Sequence, residues 1–402
     1  MTPEPENKFA GHESGIRGGS EASASESDGS CKYPPGPEKR VAMEGLDKSA
    51  PEESVCDAVR RVAEAATDFS WLSQGDTVFL KPACNSVNPY PATTHIGGVA
   101  AMIRLLKEKG AKRVIVSEMS GVSVDSAVRL TPRGLHGSSR KILKKNGMLD
   151  AALAAGAEVY FPEEDGWAAF FEDGPVSGSH WQSGIFIPNI LKECDHIVLM
   201  PRASRHMILG NTLGLKAVVG YMRTDSRIEY HRYASTIYDK TAEANTLPTL
   251  KNKLRLTLTV ATRLQSTKGP DAGFVSVPGT GLVIASDSLI AHDMLTQAWM
   301  NINRKLLPGS QRTFYRDPHI WIHNIINRYV VMALGGPVQA LKTENFRAKP
   351  SGNVFKDPVL KRAFQLEGGA PAISLVDVNG SVPEALMSDL RGRVRLKSNN
   401  IE

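Results

Sequence analysis

The stretch DTVFLKPACNSVNPYPATTHIGGVAAMIRLLKEKGAKRVIVSE, residues 76–118, decides the fold class. Its first seven residues, DTVFLKP, are apolar on both alternating faces and read as a buried strand. After an irregular Asn- and Pro-containing segment, Ile96, Val99, Ala100, Ile103 and Leu106 recur three or four residues apart, the stripe of a helix that Gly110 ends. RVIVSE (113–118) is a second strand. A strand, a helix and a strand at this spacing make a parallel βαβ unit, whose strand C-termini face a crevice. Lys81 and Glu118 fall at two such ends.

Working outward, the cycle repeats. A helix is expected around 147–155, then strands at AEVYF (157–161), GIFIP (184–188), DHIVLMP (195–201) and GLVIAS (281–286), the last followed by a helix from Asp287. The reading is an α/β fold with mostly parallel sheets and flanking helices, in two lobes around a crevice. Residues 1–45, dominated by Gly, Ser, Glu and Pro, bury too little apolar surface to offset ordering and read as a disordered tail. Order is expected near Ser54, where Val55, Val59, Val62 and Ala66 share a helical face. An α/β domain is assigned to 46–340, with 162–183 as an insertion or flap, and a C-terminal extension packing on it to 341–402. That extension ends in LRGRVRLK, where Arg391, Arg393, Arg395 and Lys397 alternate like the wet face of an edge strand.

Composition limits the function classes. The 402 residues are 41% hydrophobic, enough for a sizeable core. The net charge of +6 comes from 48 basic and 42 acidic residues interleaved along the chain, so no nucleic-acid partner is expected. Cys31, Cys56, Cys84 and Cys194 stand far apart, which indicates neither a disulfide framework nor a cysteine-only metal site and suits a reducing compartment. The N-terminus lacks the apolar stretch of a signal peptide, and no run reaches the roughly 18 apolar residues of a membrane helix. A soluble, cytoplasmic chain without a membrane partner is therefore expected, with a homodimer as the default assembly.

Two segments concentrate chemistry. Residues 81–98 leave a strand and enter a helix with Thr93 or Thr94 as N-cap, so Lys81, Asn85, Thr93, Thr94 and His95 form a polar wall suited to a small-molecule substrate. Residues 201–232 place His206, Asn211, Lys216 and His231 among Gly210, Gly214 and Gly220, which allow close backbone approach. Histidine suits proton transfer or metal ligation; lysine suits anion binding or, when desolvated, nucleophilic attack. His319 and His323 stand at the i, i+4 spacing of a helical zinc pair, although the Glu of H-E-x-x-H is missing and Ile320, Trp321, Ile322 and Ile325 argue for a packed helix. Asp287 reads as an N-cap, with a metal or substrate role open to it and to Asp293. No G-x-G-x-x-G, Walker loop or G-x-S-x-G elbow is present, so dehydrogenase, P-loop and α/β-hydrolase readings fall away.

The succession FLKPACN, TTHIGG, GAKRVIVSE, CDHIVLMP, RHMILGNTLGLKAVVGYMR, His231 and GLVIASDSLIAHDML resembles the domain of unknown function 362 family across about residues 76–300. Members of that family often carry an appended iron–sulfur module; its cysteines are missing here, so no iron–sulfur cluster is expected. More distantly, the His-to-Lys-to-His run is similar to that of the nickel-pincer lactate racemases. That resemblance implies Lys216 as cofactor tether, His231 as metal ligand and His206 as the proton-transfer group. The chain reads GNTLGLK where those enzymes have Gly-Gly-Arg-Lys, and offers Glu118 and Met119 where they have a second acid/base histidine.

The expected function is an enzyme acting on a small anionic or hydroxylated metabolite, as an isomerase or racemase or as an oxidoreductase. His206, Lys216 and Glu118 are the catalytic candidates. Lys81, Asn85, Thr93, Thr94, His95 and Asn211 bind substrate, and His231 and Asp287 are candidate ligands of a divalent metal such as Ni, Fe or Zn. Two rivals stand beside it: an oxidoreductase using simple iron or zinc, and a non-enzymatic metal- or anion-binding carrier.

Overall fold

Residues 77–82 are buried throughout, because alternate side chains enter two different cores. Val78 and Leu80 meet Val59 and Val62 of helix α1 (Glu52–Ala66) and Val99 and Ile103 of helix α2 (Ile96–Glu108). Phe79 points the other way, to Ile115, Leu199, Tyr221 and Tyr230. Each large apolar side chain buried this way contributes roughly 1.5–3 kcal/mol, and the period of two distributes them over both faces.

The computed structural model describes residues 34–395 except 124–125, 270, 272, 310–318 and 350. Eight strands form its main sheet: β1 (Pro35–Asp47), β2 (Thr77–Pro82), β3 (Arg113–Ser117), β4 (Glu158–Tyr160), β5 (His196–Met200), β6 (Leu254–Ala261), β7 (Thr280–Ser286) and β8 (Ala370–Asp377). Their order is β8-β1-β7-β6-β5-β2-β3-β4. β6, β5, β2, β3 and β4 are mutually parallel, β1 runs parallel to β8, and β7 is antiparallel to both its neighbours. This is an α/β protein with a mostly parallel sheet covered by helices on both faces, as the sequence indicates.

The chain order fixes where a site belongs. From β2 the chain steps to β3 and β4 on one side, then returns to place β5 and β6 on the other. The direction of winding therefore reverses between β2 and β5, and ligands of open α/β sheets bind outside the strand C-termini at such a reversal. Lys81 in β2, Glu118 just after β3 and Arg202 just after β5 all stand there.

Several expectations need correction. Order begins well before Ser54: residues 35–47, of which 35–45 were assigned to the tail, form β1, which pairs with both β7 and β8. Val41, Ala42, Met43 and Leu46 are buried there, and a Cβ at Gly45 would come 2.6 Å from the Ser381 carbonyl oxygen. Residues 1–33, with Cys31, lie outside the described residues. The Arg-rich end is no edge strand either. It belongs to a helix, Glu384–Val394, whose Met387, Leu390 and Val394 are buried at helical spacing while Arg391 and Arg393 pair with Glu384 and Asp389; Lys397 lies outside the described residues. GIFIP does not join the main sheet: Ile185–Pro188 pairs antiparallel with Phe170–Asp173, within the segment read as an insertion. Asp287 is not the cap of the helix that follows β7, here α4 (Leu289–Ile302); Ser288 is, accepting from the Ala291 amide.

Candidate active site

After β5 the chain folds into a hairpin, Ser204–His206 paired with Gly210–Thr212. Gly210 closes it at φ 80°, a left-handed conformation that glycine adopts without strain. This tight loop turns the amides of Ile208 and Leu209 onto His206 Nδ1, at 3.1 and 3.3 Å. With Nδ1 accepting, the proton of the neutral ring is on Nε2. Next comes a 3-10 turn, Leu215–Tyr221, that carries Lys216. Its start is held by the Asp293 carboxylate from α4, which accepts from the amides of Gly214 (2.9 Å) and Leu215 (2.7 Å). Helix α3 (Thr224–Arg232) then presents His231 near its end.

His231 is fixed in the other tautomer. Its Nδ1 donates to Asn327 Oδ1 at 2.8 Å, while Asn327 Nδ2 donates to the His231 carbonyl at 2.7 Å, which leaves no freedom in the Asn amide. Nε2 of His231 therefore carries a lone pair. Asn327 reaches in from helix α5 (Ile320–Gly335), whose Val330 and Leu334 form part of the same wall.

His206, Lys216 and His231 share one cavity of about 90 Å³, together with Lys81, Asn85, Glu118 and Arg227. Its charge balance is cationic. Lys81 is ion-paired with Glu118 and also donates to the Pro82 carbonyl at 3.0 Å. Arg227 spends two nitrogens on the carbonyls of Ser120 and Met119, and buried Arg202 donates to Asn85 Oδ1 and the Ala92 carbonyl. Burial lowers both guanidinium groups to about 10. Burial, helped by nearby Arg202, lowers Lys216 to about 7. Burial likewise holds His206 well below its ordinary range and pushes His231 down to about 3, so both imidazoles are neutral at pH 7. The cavity thus combines neutral proton donors and acceptors with desolvated cations, a set matched to a small anion undergoing proton transfer.

Other residues singled out from sequence lie elsewhere. Thr94 Oγ1 accepts from the Ala83 amide and donates to the Met200 carbonyl, tying the exits of β2 and β5 together. Thr93 is fully buried, and His95, not either threonine, caps α2 by accepting from the Gly98 amide. The cap lies only one or two residues beyond the position that the Thr-Thr pair suggests. Asn211 accepts from Arg205 and borders a separate small cavity. Asp287 lines yet another, which His231 does not border. His319 is exposed just ahead of α5, whereas His323 is buried, its Nδ1 3.3 Å from the Ile208 carbonyl oxygen; the two do not form a zinc pair.

Sequence reasoning missed Arg227, Asp293 as the clamp under Lys216, and Asn327. A signal existed for Arg227, which sits four residues before His231 and so on the same helical face. Asn327, 96 residues beyond His231, left none.

Among the described residues no three His, Cys, Asp or Glu side chains are grouped to hold a metal ion. A pincer nucleotide does not fit either: sites for ligands of that size run to roughly 300 Å³ or more, several times the cavity here.

The fold and cavity define an α/β protein with a buried cationic site at the reversal point of its sheet. The family described as a domain of unknown function, DUF362, matches residues 78–298, and the chain belongs to that family. No curated protein matches. Among solved structures the chain is similar to the lactate racemase apoprotein from Thermoanaerobacterium thermosaccharolyticum, at 12% identity and a TM-score of 0.33, over 56% of this chain and 50% of that one. The chain spans about half the length of that protein.

Proposed function

We propose that this protein is an acid–base enzyme of the isomerase or racemase type, which moves a proton at a carbon next to the carboxylate or carbonyl of a small anionic metabolite. The observation that carries the reading is the pair of neutral imidazoles held in opposite tautomers on one cavity: His206 offers Nε2–H, and His231 offers the Nε2 lone pair. A proton shift needs one group to give and another to take, and fixed tautomers supply both without prior ionisation. Arg227, together with Lys216 when that amine is protonated, neutralises the developing negative charge, as electrostatic stabilisers of an enolate-like state do. A cavity of about 90 Å³ has the volume of roughly three waters at about 30 Å³ each, which limits the substrate to an acid of a few carbons.

The test is solvent exchange. Purified protein in deuterium oxide, given a panel of small 2-hydroxy and 2-oxo acids, is expected to introduce deuterium next to the carboxylate or carbonyl of at least one of them, followed by proton NMR. His206→Asn and His231→Asn are each expected to slow this about 100-fold or more, the usual range for losing one acid or base. Exchange that survives undiminished in both variants, or none across the panel, contradicts the reading.

A further inference from the structure

The amine of Lys216, a partly buried residue, is unlike those of the fully buried lysines. Lys81 is paired with Glu118, and Lys240 with Glu229. Lys216 lines the cavity beside cationic Lys81 and Arg227, and among the described residues its amine makes no hydrogen bond or ion pair. Its backbone is nevertheless held firmly, because Asp293 accepts from the two amides ahead of it and His292 Nδ1 stands 2.9 Å from that carboxylate. A lysine kept in place, desolvated and without an ion-pair partner of its own is arranged as a nucleophile rather than as a structural charge.

We infer that Lys216 forms an imine with the carbonyl of a small 2-oxo acid, with His206 and His231 moving the protons that imine formation requires. This rests on the acid–base reading above and adds the covalent step to it. The Lys216 lone pair forms a C–N bond to the carbonyl carbon while the carbonyl π pair moves to oxygen, which takes the His206 Nε2 proton. The attacking nitrogen releases a proton to His231 Nε2. The carbinolamine hydroxyl then leaves as water, taking up that proton as the C=N bond forms, and the remaining amine proton restores His206. In sum, amine plus 2-oxo acid gives imine plus water, with no oxidant or reductant consumed. Protonated on nitrogen, the imine withdraws electrons from the adjacent carbon and makes its C–H more acidic, which is the proton transfer the two imidazoles are placed to carry out. The cations around the amine support the step twice, by keeping it unprotonated and by receiving the acid's carboxylate.

The experiment is reductive trapping on the full-length protein, with pyruvate and cyanoborohydride at pH 7, read by peptide mass spectrometry. Lys216 carries about a thousandfold more neutral amine at that pH than an exposed lysine, so we expect one reduced pyruvyl group, on Lys216, acquired at least about tenfold faster than at any other lysine. The test is read on the wild-type protein, so no variant has to fold; Lys216→Arg is expected to lose the adduct. Labelling confined to surface lysines, or no labelling at Lys216, overturns the imine. The exchange assay run in parallel separates the two ideas. Exchange without an adduct overturns the imine alone, whereas absence of both overturns the acid–base reading with it.

Discussion

Lys216→Met is expected to abolish solvent exchange and, in the same protein, to raise stability at about pH 6. The reason is the cost of holding an ammonium group in a cavity whose other charges are mostly positive. Burial lowers the amine of Lys216 from 10.5 to about 7. Below pH 7 the lysine is charged in both the folded and unfolded states, and the folded state bears the full desolvation cost. Between pH 7 and 10.5 the unfolded chain binds more protons than the folded one, so stability rises with pH and the cost disappears. Methionine has nearly the same shape and no charge. Its advantage should amount to several kcal/mol below pH 7, at about 1.4 kcal/mol per pK unit, and should be nearly gone by about pH 10. Denaturant unfolding of both proteins at the two pH values checks this. A variant less stable than wild type at about pH 6 contradicts it. A gain in stability with loss of turnover is the usual mark of a strained functional residue.

Glu118→Gln is expected to have the opposite effect, a loss of about 3–5 kcal/mol, the usual result of removing one partner of a buried ion pair. Among the described residues lining the cavity, Glu118 is the single carboxylate facing Lys81, Lys216 and Arg227. Lys81 and Glu118 are 2% and 5% exposed, so neither charge can turn to water if the other is removed. The backbone closes over them at Gly220, where a Cβ would stand 2.5 Å from Lys81 Nζ and 2.7 Å from Glu118 Oε1. Since replacing both partners with apolar groups is often neutral, the double variant Lys81→Met/Glu118→Leu should recover a large part of the loss. Urea unfolding of the two variants decides it; a mild Glu118→Gln, or a double variant worse than the single, sinks this account of the pair.

What could be read in the sequence follows from where the signals are local. The β2–α2–β3 unit was legible because strands buried on both faces are uninterrupted apolar runs and the helix between them repeats every three or four residues. The location of the site was legible for the same reason: Lys81, Glu118 and the His206-to-His231 run all follow strand ends. β1 was hidden because its buried run from Val41 to Leu46 is short, interrupted by Glu44 and Gly45, and preceded by Pro, Gly, Glu and Lys that read as tail. Asp287 was preferred to Asp293 because it immediately follows β7, yet α4 begins later, and its phase points Asp293 at the Lys216 turn. The tautomer of His231 depends on Asn327, brought close by the packing of α5 on α3; no local pattern marks such a partner.

The central claim is that His206 and His231 are neutral and hold their protons on opposite nitrogens. Nitrogen-15 NMR of histidine-labelled protein at pH 7, with long-range proton correlations, reads both states directly. The proton of His206 is expected on Nε2 and that of His231 on Nδ1. An imidazolium at either position, or the same tautomer at both, would contradict it.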